Sequence, residues 1–159
     1  MIEVKGLEKL QTKLRNIQKL EHRTAPLMEQ LGEILKNSIE DSFENEKSPF
    51  GERWKPLAKS TLQNKLKKGK SERILRREGD LADNWVLKSD DDKAVISNNA
   101  NNKGFAYGLA HQFGANGAGR GKRTKIPARA FLPVDKNGKL AKDVKREIKA
   151  EVISFIKSI

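Results

Sequence analysis

The chain has no cysteine and only two histidines, His22 and His111, so it offers no disulfide, no thiolate metal site and no zinc set built from His and Cys. Aromatic residues make up only 6% of its 159 residues, which leaves little for base-stacking platforms. Long apolar runs are missing too: no window approaches the ~18 apolar residues of a membrane span. Met1 to Leu10 interleaves apolar residues with Glu3, Lys5, Glu8 and Lys9, unlike a signal peptide. Together these absences read as a soluble, cytoplasmically made protein without metal, cofactor or membrane partner. Acidic residues are scarce as well, 21 against 33 Lys plus Arg, for a net charge of +12. Such a field favours nucleic acid or an acidic protein surface, and it governs steering and solubility rather than fold.

What is present has clear periodicity. Ile2 and Val4 alternate with charged residues in a short extended lead-in to Gly6. Leu7, Leu10, Leu14 and Ile17 then recur every three or four residues, one apolar stripe on a helix with a basic opposite face. The pattern lapses at Glu21-His22-Arg23 and resumes after Thr24, an N-cap, with Pro26 in the first turn. Leu27, Leu31, Leu35, Ile39 and Phe43 carry a second stripe, ended by the Asn, Ser, Pro and Gly of 45–51. Trp54 follows in a loop between Arg53 and Lys55, and its large apolar area makes it a core plug rather than a binding platform. Ser60 and Gln63 have the spacing of a capping box at the start of a short basic helix ending by Gly69.

Trp85-Val86-Leu87 and Ala94-Val95-Ile96 form two β-prone runs around Asp90-Asp91-Asp92, a hairpin. The aspartates lack the alternating spacing and following glycine of a calcium loop. An asparagine-rich loop at 98–102 leads to a short helix over 105–113, stopped by Gly114. Phe131, Leu132 and Val134 make a strand-like run whose Pro133 argues for an edge position. After the Asn137-Gly138 turn, Leu140, Val144, Ile148, Val152, Phe155 and Ile159 form the stripe of a last helix.

These elements are organised around the stretch from Tyr107 to Leu132. There His111-Gln112-Phe113-Gly114 flows into Gly117, Gly119 and Gly121, glycines that resist both helix and strand, and order resumes at Ile126-Pro127. Residues 115–125 are expected to be a flexible arm. Its far end carries Arg120, Lys122, Arg123 and Lys125 without an acidic residue, a candidate basic contact for DNA or protein. A second concentration of charge, Lys65, Lys67, Lys68, Lys70, Arg73, Arg76 and Arg77, reads as a solvated basic face.

Catalysis finds no support in the residues. His111 has no local nucleophile or second acid beside it, and reads as a hydrogen-bonded structural histidine. The arm fails as a phosphate loop, because Asn116 stands where a glycine is needed and Arg123 where Ser or Thr is needed. A basic nucleic-acid-binding module is the alternative that the charge leaves open, with non-specific DNA contact as its weaker form, though no helix-turn-helix signature accompanies it.

One ordered set of motifs remains. Pro49-Phe50-Gly51 with Trp54 and Pro56-Leu57, Ser60-Thr61 with Lys65, and Ile74-Leu75 with Gly79 and Leu81 come first. Tyr107 with His111-Gln112-Phe113-Gly114, and Ile126-Pro127-Ala128-Arg129 with Phe131-Leu132, complete the series. In this order they resemble the phage virion morphogenesis family, the Mu-like G proteins and related tail-completion proteins. Phe50 and Glu78 depart from that pattern at two turns. The resemblance implies one α+β domain over residues 1–159: an antiparallel sheet packed with N- and C-terminal helices, carrying the Gly/Arg-rich arm. It implies a structural, non-enzymatic protein that completes the tail or joins head to tail. Its partners would be tail or head-tail connector proteins and further copies of itself in a ring, first in the host bacterial cytoplasm and then in the virion. Trp54, His111, Gln112, Phe113, Gly114, Pro127, Arg129 and Phe131 are the candidate assembly or scaffold positions.

Overall fold

A computed structural model describes residues 7–18, 23–101, 104–118, 121 and 123–158. The expected lead-in strand at Ile2 and Val4, and His22, lie outside the described residues. The first apolar stripe forms α1 (Leu7–Gln18) and the second α2 (Ala25–Asn45). The basic helix is α3 (Lys59–Lys67), and a single turn, α4 (Asp80–Asp83), precedes the hairpin of β1 (Val86–Ser89) and β2 (Ala94–Ser97). Then follow α5 (Tyr107–Phe113), a second hairpin of β3 (Ala115–Ala118) and β4 (Thr124–Ile126), and α6 (Lys142–Ser158). The fold is α+β, with two antiparallel two-stranded ladders among the described residues.

α2 is the spine. It packs along α6 and lies across the β1–β2 hairpin and α4. Gly32 makes the close approach to the hairpin possible, since a Cβ there would sit 2.3 Å from Leu87 Cδ1. Leu87 and Ile96 oppose each other in the ladder, while Val86 and Val95 stay exposed, the alternation that period two requires. The core joins Ile39 and Phe43 of α2 to Trp54, Ile74, Leu81, Ala82 and Phe131. Phe43 meets the Trp54 ring edge-on at 5.4 Å and the Phe131 ring at 5.1 Å. Trp54 is therefore a core residue.

Several local expectations are corrected. Thr24 sits at the N-cap of α2, yet its hydroxyl bonds to the Asp91 carbonyl instead of its own helix. The cap comes from the hairpin turn: Asp91 Oδ1 accepts from Thr24 N at 3.0 Å and Ala25 N at 2.9 Å, placing a carboxylate at the positive end of the helix. Ser60 and Gln63 do not cap α3, because the helix starts earlier, with Ala58 at the cap and no side-chain bond to it.

The run 131–134 is not a strand beyond one bridge between Val134 and Leu140. Pro133 has no N–H for a ladder, and its carbonyl accepts from Ala141 N instead. The glycine arm, conversely, pairs at its base. Ala115 faces Ile126 and Ala118 faces Thr124, three residues of advance on one side against two on the other, a bulge that Gly117 accommodates at φ 74°. Backbone pairing thus overrides the resistance of glycine to strand.

Candidate functional site

The spaced motifs meet in one place. Arg129 extends from the segment after β4, is 6% exposed, and donates from Nε to the Lys55 carbonyl at 2.9 Å and from Nη2 to the Pro56 carbonyl at 3.1 Å. One residue on, the Ala130 carbonyl accepts from Trp54 Nε1 at 2.8 Å. Gln112 of α5, 3% exposed, accepts from the N–H groups of Phe131 and Leu132 at 2.9 Å each and donates to the Val134 carbonyl at 3.3 Å. A buried amide so replaces the strand partner that Pro133 prevents. The His111 carbonyl accepts from Arg129 N at 2.7 Å, closing the knot.

Above this knot opens a cleft of ≈ 1250 Å³ between α3, the 75–81 segment, α5 and β4. Pro56-Leu57, Ser60-Thr61 with Lys65, Leu75, Gly79 with Leu81, Tyr107 with His111, and Ile126-Pro127 with Arg129 all line it. A cleft of this size exceeds the roughly 300–1,000 Å³ of small-molecule pockets.

The basic stretch after Ser60 is not one solvated face. Lys65 is 8% exposed, and its ammonium donates to the carbonyls of Arg73 at 2.5 Å and Arg76 at 2.9 Å. Burial pushes its pKa below the usual lysine value, Glu46 pulls it up and Arg77 pushes it down. Arg73 reaches the carbonyls of Phe43 and Glu44 at the end of α2. Two lysines of the run, Lys67 and Lys68, remain exposed.

Among the predicted positions, Trp54, Gln112, Arg129 and Phe131 are buried in or beside the knot. Gly114 packs against the backbone of 126–128, where a Cβ would lie 3.1 Å from both Ala128 N and Ile126 O. Pro127 lines the cleft, half-buried, whereas Phe113 is exposed beside Lys55 and the 125–128 segment. His111 lines the cleft with its Nδ1 buried and without a hydrogen-bond partner among the described residues, contrary to the expected hydrogen-bonded histidine. Its pKa is lowered by burial and by the Arg129 charge. Lys125 lies on the cleft rim and Arg123 is exposed beside it; Arg120 and Lys122 lie outside the described residues.

Lys55 joins the rim as a cation for which the sequence carries no local signal. Among the described residues no cluster of His, Asp and Glu could hold a metal, and no helix is long and apolar enough to cross a membrane.

A model of the phage virion morphogenesis family matches residues 5–152. Neither the curated proteins nor the solved structures contain a significant match.

Proposed function

The chain belongs to the phage virion morphogenesis family, and from that premise we propose that it completes the tail or joins tail to head by self-association and docking, without catalysis. The observation that carries self-association is α1, whose stripe at Leu10, Leu14 and Ile17 is 55%, 51% and 47% exposed. An amphipathic helix with its apolar side in water gains stability from any surface that covers it. Its other side is polar, with Glu8, Lys9 and Arg15, and Lys13 flanks the stripe. A shallow groove between α2 and α6, lined by Pro26 and Ile34 among Glu29, Glu33 and Glu151, is a surface of the next copy that such a stripe could cover. One copy's α1 on the next copy's α2–α6 groove is a heterologous contact, the kind that closes rings. The β3–β4 hairpin, with Arg123 and Lys125 near its end, is ordered against a neighbour or against the tail in this reading. The protein acts in the host cytoplasm during assembly and stays in the tail or neck of the virion.

The test is mass measurement by sedimentation over a concentration series, with and without purified tail tubes, coupled to limited trypsin digestion. Assembly on tails is expected, with protection of cleavage after Arg123 and Lys125, and Leu10→Glu with Leu14→Glu should weaken self-association while leaving the melting transition in place. A chain that stays monomeric, ignores tails and is cleaved identically in every condition overturns the proposal.

A further inference from the structure

Lys65 and Arg129 lie beneath the cleft as buried cations, and both direct their donors to backbone carbonyls. Neither has a carboxylate at ion-pair distance among the described residues. Carbonyl dipoles satisfy hydrogen-bonding capacity but carry no net charge, so the positive field of Arg129 persists, while that of Lys65 is offset in part by Glu46. The rim adds Lys55, Arg77 and Lys125 against only Glu78 and Asp80. Glu78 is engaged by Lys70 at 2.6 Å and by Arg77 at 3.8 Å, which leaves Lys55 and Lys125 as the rim cations without an ion pair among the described residues. Two buried nitrogens of cleft residues, His111 Nδ1 and Arg76 Nε, have no partner among the described residues. Between the charges the walls are apolar: Leu57, Leu75, Phe105, Tyr107, Ile126 and Pro127.

We propose that this cleft is the docking site for an acidic, extended segment of a partner protein. Carboxylates of the segment face Lys55, Arg77 and Lys125, and its apolar side chains fill the spaces along Leu57, Leu75 and Ile126. That the segment belongs to a virion protein rests on the morphogenesis reading; the chemistry of the cleft does not. A nucleic-acid strand meets the charge but leaves the aliphatic wall of Leu57, Leu75, Ile126 and Pro127 unused, since Phe105, Tyr107 and His111 are the lining residues that offer rings for bases. A polypeptide alternating acidic and apolar residues meets both.

The experiment is fluorescence anisotropy of the full chain with a labelled peptide of about ten residues alternating Glu and Leu, at ~0.15 M salt to screen non-specific attraction. The same peptide with Lys for Glu, a thymidine oligonucleotide and a short DNA duplex are the comparisons. Saturable binding of the Glu/Leu peptide alone is expected, weakened roughly tenfold or more by Lys55→Glu with Lys125→Glu, since each reversal sets like charges together. Both positions are exposed, so the melting transition of this variant should match the parent. In NMR, the ring resonances of His111, assigned by loss in His111→Gln, should shift with bound peptide. Binding unaffected by the charge reversals, equal binding of the Lys peptide, or displacement of the peptide by either DNA overturns the proposal. Failure of the peptide with tail association intact removes this inference and leaves the morphogenesis reading standing; peptide binding without tail association does the reverse.

Discussion

The indole Nε1 of Trp54 donates to the main-chain carbonyl of Ala130 at 2.8 Å, across 76 residues of sequence. The same ring packs edge-on against Phe43, so a single side chain ties α2, the 53–57 loop and the segment after β4 together. Trp54→Ala removes both packing and bond, and should cost about 3–5 kcal/mol. Trp54→Phe retains most of the packing and leaves the carbonyl unpaired, a smaller loss. Denaturant titration of the two variants separates the contributions.

Gln112→Leu preserves approximate volume but strands the N–H groups of Phe131 and Leu132, both now served by Gln112 Oε1. Each abandoned donor costs about 1–3 kcal/mol, so the variant should lose roughly 2–5 kcal/mol. A shift in denaturation midpoint at unchanged slope is the expected signature; no shift would show that the 131–134 backbone finds other partners.

Gly32→Ala is expected to destabilise the chain although alanine is the better helix former by about 1 kcal/mol. The added methyl would meet the Leu87 side chain, nearest at Cδ1, and Ala94 Cβ at 3.2 Å, so the Leu87 side chain must repack or α2 must shift off the hairpin. Leu87→Ala in the same chain makes room, so the two changes should be non-additive in a double-mutant cycle.

Asp91→Ala uncaps α2 from outside the helix. Loss of the two bonds to Thr24 N and Ala25 N and of the charge near the helix N-terminus should cost about 1–2 kcal/mol. Asp91→Asn retains an acceptor and should fall between the two. Thermal melts rank the series.

The surroundings of His111 give stability a pH dependence whose sign follows from burial and the Arg129 charge. Burial and the Arg129 charge lower its folded pKa below the unfolded value, so the unfolded chain binds the extra proton first. The contribution is present above the unfolded pKa of about 6.5 and is lost as pH falls through the lowered folded value. The parent should therefore lose more stability than His111→Gln on acidification through that window. Parallel slopes for the two chains would contradict the assignment.

The sequence by itself determined the features that depend on neighbours in the chain. The stripes of α1, α2 and α6, the β1–β2 hairpin around its aspartates and the Gly114 stop follow from apolar spacing and turn chemistry. The α+β class and the family were legible for the same reason, because each motif is a short run with its own spacing. Tertiary structure alone decided where those runs meet. Whether Lys65 is a surface lysine or a buried one depends on the Arg73 and Arg76 carbonyls that the following loop brings back to it. The Asp91 cap waits on a turn 66 residues from Ala25, and Gln112 becomes a strand's substitute only because Phe131 and Leu132 return across α5. Even the glycines of the second hairpin pair because a partner strand supplies hydrogen bonds that no local propensity contains. Buried polar groups take whichever partner removes them from water at least cost, and that partner is set by the packing of the whole chain.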